Sequence, residues 1–372
     1  MRANAIRRHV FVVGVAAGGV VASVVGTAGS PAAAATSGTI PGTLTAIAVS
    51  GGIQVNQLFA GADGQMWFVT PESQLGEIST TGQATLTGVT LPHGEFPASI
   101  AAAGPEGIWT YSMTNDYLPP GNGCFIGLVT PDGVLHDMQL PSGPVRNQMV
   151  CASAAADGAG NLWISLASRS CSCRVAIVAE MTPSGSVTTF APTRAGARPG
   201  GMALGSDGAM WILEGFRDQN IVRYTSAGAS TSVPIYARPG AWGLIGLADG
   251  MFWVQVKSGF MLFNSHTATF SGWTVFPVRP STFNATVDLQ TGVDAIGSLW
   301  KAGQMGEFGP VNRLFRLDTS STIGRTRSFP LAADGSQLLA NGTAAVSTTG
   351  AIWAAATSGA GATYLIRFQP LP

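Results

Sequence analysis

Charge is scarce in this chain. Lys plus Arg and Asp plus Glu number 19 each among 372 residues, 10% together, where a soluble domain ordinarily carries about a quarter. Helix-rich solvent faces are therefore not expected. The two signs balance, and beyond the first residues no basic cluster occurs, so nothing in the chain would draw it to nucleic acid or to an anionic membrane. Histidine and cysteine number four each, and no metal-spaced His/Cys cluster is present. A phosphate-cradling glycine loop and a nucleophile-elbow serine are also missing, which removes the common nucleotide-binding and hydrolase signatures. Long apolar runs are absent except near the start.

That exception reads as a targeting segment. Arg7, Arg8 and His9 precede an apolar stretch that ends at about Val25, and Ala33, Ala34 and Ala35 offer a small-x-small cleavage site. The stretch is short and rich in Gly and Ala, a poor transmembrane helix. Residues 1–35 are thus expected to be a twin-arginine-like signal peptide, and 36–372 a secreted, extracellular chain with no membrane anchor once the signal is removed.

What is abundant is glycine, 49 residues, together with tryptophan at a steady interval. Trp67, Trp109, Trp163, Trp211, Trp253, Trp300 and Trp353 recur at roughly the 40–50-residue period of propeller blades. Around each, the same order returns: a short apolar run, a turn, the apolar Trp segment, a loop, another apolar run, a turn, and a Thr/Val/Phe-rich run. That is four strands per repeat. The fourth repeat shows it best, with strands at 201–204, 209–213, 220–225 and 230–234. The expected fold is all-β, a seven-bladed β-propeller of four-stranded blades.

The turns carry Asp-Gly or Ser-Gly pairs, as at Asp63-Gly64, Asp132-Gly133, Ser184-Gly185, Ser206-Asp207-Gly208 and Asp249-Gly250. Glycine takes positive φ without steric cost, so these aspartates are expected to serve two-residue turns and not to bind calcium. The repeated tryptophans are expected to fill the space between blades. The last repeat lacks an outer strand before Pro372, and the segment 39–49 is placed to supply it, closing the ring without exposed strand edges.

Several stretches resemble the virginiamycin B lyase (streptogramin lyase) family. They are "GADGQMWFV" with "LGEISTTG", "GPEGIWTYS" with "IGLVTPDG", "GAGNLWISL" with "VAEMTPSGSVTTFAP", and "GSDGAMWILEG" with "NIVRYTSAG". The resemblance implies the propeller fold. It also implies a chemistry: a His after an Arg-Pro or Glu-Pro step, acting with Glu residues and magnesium, opens the lactone ester of a cyclic depsipeptide by elimination. This chain keeps the step as Arg198-Pro199-Gly200 and Arg238-Pro239-Gly240, with glycine where the His would stand. Val256 replaces a glutamate, and Glu214 alone keeps an acidic group of that pattern. No cofactor is therefore expected, and magnesium only if the lyase activity is retained.

Among the histidines, His136 falls on an outer strand and His266 in a loop on the far face. His93 with Glu95 lies in the link between the first two repeats, on the face of the family's site. His93, Glu95 and Glu214 are therefore the candidate catalytic residues. Arg198, Arg217, Arg238, Asp116 and Tyr117 should border the central mouth and suit a small polar or anionic ligand or a peptide. The leading reading is a secreted, monomeric ligand-binding or scaffold propeller. A lyase or hydrolase opening a cyclic peptide lactone with a rearranged site is the alternative, and a cell-surface interaction module is a third. Cys124, Cys151, Cys171 and Cys173 lie in one window and read as two disulfides in an exported chain. A Cys171–Cys173 bridge would be too tight, so each is expected to pair outward, one with Cys124 and one with Cys151.

Overall fold

The computed structural model describes residues 42–61, 64–93, 97–113, 124–138, 140, 149–168, 176–193, 197, 199–215, 219–235, 240–256, 259–274, 292–293, 298–305, 311–317, 326–333 and 336–370. The expected signal segment lies outside them. Every described element but two single 3-10 turns is a strand, and each repeat folds into its own antiparallel sheet in sequence order. In the fourth repeat the strands are Pro199–Leu204, Met210–Glu214, Gln219–Thr225 and Gly228–Ile235, innermost to outermost. The sheets stand around a central channel as propeller blades.

The expectation of seven four-stranded blades needs correction at one repeat. Six sheets are complete, every strand having at least four residues. The inner strands of these six line the channel. The sheet around Trp300 differs. The described part of its inner strand is Gly292–Val293, paired with Leu299–Met305, and it contributes nothing to the described channel wall. A small extra hairpin, Ala332–Ala333 with Ser336–Gln337, follows it.

Ring closure agrees with the reading of the chain ends. Gly42–Ala48 pairs antiparallel with Thr363–Pro370, from Gly42 opposite Pro370 to Ala48 opposite Tyr364, and becomes the outer strand of the last blade. The register puts Ala46, with Leu44 beside it, into the core that holds Ile352, Ile366 and Phe368. First and last parts of the chain thus share one sheet, and opening the ring requires unzipping it.

The blade hairpins are one residue longer than expected. In the fourth blade the Gly208 N–H donates to the Gly205 carbonyl at 3.0 Å, and the Gly205 N–H to the Ala209 carbonyl at 2.9 Å. Ser206, Asp207 and Gly208 therefore form a three-residue loop whose last residue has φ +75°, a conformation that favours glycine. The aspartate fastens the turn to the core. Asp207 accepts from the Ala209 N–H and from the Trp211 indole N–H, and Asp157 binds Ala159, Asn161 and the Trp163 indole in the same manner.

The tryptophans pack between blades, as their spacing suggests. Trp163 stacks on Phe190 at 5.4 Å, and Phe190 meets Tyr224 of the next blade at 6.2 Å. Trp211 packs on Phe252 and Phe263 of its neighbour. The Trp109 indole N–H reaches the Gly160 carbonyl of the third blade at 2.9 Å. Side-chain amides join blades where the inner strands begin. Gln57 accepts from the Ile100 N–H at 2.7 Å and donates to the Ile100 carbonyl at 3.2 Å, bridging the first and second blades as a peptide unit would. Gln219 does the same with Ala241 between the fourth and fifth, donating to its carbonyl at 2.7 Å and accepting from its N–H.

Candidate functional site

The central channel has a volume of about 480 Å³, within the range of small-molecule sites. Strand order makes its two ends different. Inner strands start at the mouth, so Gln57 and Ser99 stand there with Tyr111, the cross-strand neighbour of Ser99. Deeper in, the wall is small and apolar, with Ala154, Ala155 and Ala156 typical of it. No charged side chain lines the channel among the described residues.

Tyr111 is half-buried in that wall, and no hydrogen bond to its hydroxyl is made by the described residues. Protein surrounds the phenol closely enough that burial pushes its pKa up to about 12, so it stays an O–H donor at neutral pH. The sequence reading missed Tyr111. Its only signal was its place two residues after the blade tryptophan, where other repeats carry Val69, Ser165, Leu213, Gln255 and Ala355.

Glu214 closes the second strand of the fourth blade and is 2% exposed. One carboxylate oxygen accepts from the Tyr224 hydroxyl. The other accepts from the Thr193 N–H at 3.0 Å and the Thr193 hydroxyl at 2.6 Å, so the side chain ties down the link between the third and fourth blades. Burial, together with the hydrogen bond to Glu214 and its charge, pushes the Tyr224 phenol up, which keeps it a donor. Described donors do not fit the magnesium ion that the lyase chemistry would require. Both oxygens of Glu214 are already engaged, and no three His, Cys, Asp or Glu side chains converge among the described residues.

His93 is exposed in the link from the outer strand of the first blade, Ala84–Thr90, to the inner strand of the second, Ser99–Gly104, and so opens on the mouth face. His136, on the outer strand Leu135–Met138, and His266, in the turn after Asn264, are exposed and away from the channel wall, as expected. Glu95, Asp116, Tyr117, Arg198, Arg217 and Arg238 lie outside the described residues.

Three positions at the lyase pattern are visible. Gly200 lies in the inner strand, its carbonyl accepting from the Ser165 hydroxyl at 3.2 Å. A Cβ on Gly240 would come within 3.0 Å of the Gln219 amide oxygen, so a larger side chain there crowds the group that joins the two blades. Val256 is 2% exposed, packed with Leu213 and Ile221.

The cysteine pairing is a correction. Cys124, at the start of the third strand of the second blade, is bonded to Cys151 on the inner strand of the third, with Cα atoms 5.2 Å apart. Each was expected to take Cys171 or Cys173 instead. Blade stacking sets these two strands side by side, within ordinary disulfide reach, and so satisfies both partners at once. Cys171 and Cys173 lie outside the described residues. The bridge does join the second and third blades near the mouth, as expected of this cysteine group.

At the ends of the blade strands away from the mouth, two carboxylates near the turns differ. Burial opposes ionisation of Asp207, but Arg223 at 2.6 Å, the Ala209 N–H and the Trp211 indole outweigh it and hold the carboxyl below its usual value. Burial and the nearby charge of Asp157 push Glu180 up, opposed only by Asn161.

Comparison with known proteins agrees with this architecture. The staphylococcal virginiamycin B lyase structure superposes with a TM-score of 0.60 at 16% identity, covering 89% of this chain and all (100%) of that one. A catalytically inactive form of the Staphylococcus aureus enzyme with quinupristin matches at TM-score 0.59 and 16% identity, covering 88% and 99%. The WD40 propeller domain of Doa1 matches at TM-score 0.56 and 12% identity, covering 88% and 97%; likenesses this distant establish the fold alone. No curated protein matches the sequence. The model of the virginiamycin B lyase family matches residues 33–260, more than half of the sequence, so the repeats, the closing strand and the blade motifs together place this chain in that family.

Proposed function

We propose that this protein is an exported ligand-binding propeller of the virginiamycin B lyase family that works without the family's lyase chemistry. The observation that carries this reading is that glycine stands at 240, where the lyase pattern has a histidine, with a Cβ there already tight at 3.0 Å from the Gln219 amide oxygen. Gly200, Val256 and the fully engaged Glu214 support it. Without a base beside the carbonyl carbon and a cation to steady the enolate-like charge, elimination has no evident route at these positions. What remains is a pocket-sized channel on a rigid ring with its mouth on the face where the family's site lies. The arginines assigned to the rim from sequence, Arg198, Arg217 and Arg238, belong to this reading as groups that would meet a ligand approaching the mouth. Secretion as a monomer goes with it.

The test is direct. Purified 36–372 protein, incubated with quinupristin and magnesium, is expected to leave the lactone closed at background rate. Magnesium-dependent ring opening that disappears in Glu214→Gln would overturn the reading and favour a lyase. Opening that persists in Glu214→Gln but disappears in His93→Ala would favour the rearranged site with His93 as base.

A further inference from the structure

The channel wall restricts what such a ligand can be. Ser99 and Tyr111 are opposite one another across two strands, so their side chains share a face, and both stand at the mouth end of the cavity. Their hydroxyls are neutral. Gln57 and Ser153, the other polar side chains of the wall, are neutral as well, and Gln57 holds the Ile100 N–H and carbonyl with its amide. Beyond them the bore is lined by alanines of several blades, including Ala102, Ala154 and Ala345, with no charge among the described residues. Within the bore a carboxylate or ammonium loses its hydration and meets no counter-charge among the described residues, whereas an amide or ester loses far less and can accept from a hydroxyl.

Resting on the binding reading above, we propose that the channel takes an uncharged amphiphile. A carboxamide or ester carbonyl accepts from the Tyr111 hydroxyl, with Ser99 beside it, and a short saturated chain lies along the alanine-lined bore. The volume of about 480 Å³ accommodates a chain of this kind. The high phenol pKa of Tyr111 is consistent with a group that donates and does not ionise.

The experiment is calorimetry on the 36–372 protein at pH 7 with hexanamide and octanamide, and in parallel with hexanoate and octanoate. Amides are expected to bind at least tenfold more tightly than the carboxylate of equal length. Tyr111→Phe should weaken amide binding by about three- to tenfold, one hydrogen bond's worth. Ala154→Leu should abolish octanamide binding by filling the bore, with unchanged melting and circular dichroism as the control. Ala102→Leu, in the neighbouring blade, is the second blocker should that variant misfold. Carboxylates binding as tightly as the amides, or amide binding indifferent to both blockers, would overturn the inference and leave the ligand-binding reading standing. Absence of binding by every member of both series would sink this inference and count against the channel as the binding site.

Discussion

Two carboxylates close to blade tryptophans show how their surroundings set the direction in which pH acts on stability. Asp207 faces Arg223 and two N–H donors, and its folded pKa lies below the usual value of 3.8. Its contribution to stability is therefore present above that value and lost as pH falls through the folded pKa. Asp207→Asn is expected to destabilise the protein at pH 7 by about 1 kcal/mol, since the pair is partly exposed. The gap to wild type should close in denaturant melts only as pH is taken below the usual aspartate value and through the lowered folded one. Glu180 is the reverse, held above its usual 4.5 by burial and by Asp157. Its proton is bound more tightly when folded, so its charge works against folding above that range. Glu180→Gln should leave stability unchanged or slightly raised at pH 7, with no difference below about pH 4, and a clear loss at pH 7 would contradict the assignment. Glu214, by contrast, is a fastener for the link at Thr193.

At the scale of the strand, closure and blade joining are separate devices. Gly42–Ala48 gives the last blade its outer edge and buries Ala46 with Leu44 against it. A chain beginning at Ser50 is expected to lose about 2–4 kcal/mol from this apolar burial alone. It should melt lower, and amide exchange should quicken first along Thr363–Pro370; equal melting temperatures would refute the closure. The Gln219 amide acts across blades. Gln219→Leu leaves the Ala241 N–H and carbonyl without their partner at a buried junction, and about 2 kcal/mol of destabilisation is expected. Gln219→Glu, which keeps the acceptor for the Ala241 N–H but loses the donor to its carbonyl, should not restore the wild-type melt.

For the whole molecule, the Cys124–Cys151 bridge closes a loop of 27 residues between neighbouring blades. In the chain-entropy model a loop of that size contributes about 3–4 kcal/mol. Cys124→Ala with Cys151→Ala should lower stability by up to that amount, and peptide mapping of the unreduced protein should recover the Cys124–Cys151 link. Recovery of either cysteine joined to Cys171 or Cys173 would reverse the assignment. Much of the ring was legible beforehand because it is written locally: the tryptophan interval, the apolar alternation and the Gly-bearing turns act within one blade, and the unpaired last repeat pointed to the first strand. The sequence by itself determined the propeller, its strand order and its closure. Only the tertiary structure decided which cysteines meet, that the described part of the Trp300 repeat lies off the channel wall, that Glu214 turns its carboxylate to Thr193 and Tyr224, and that the described bore is uncharged with Tyr111 in its wall. Those outcomes depend on how one blade stacks on the next, which brings together residues distant in the chain, and no local pattern encodes that distance.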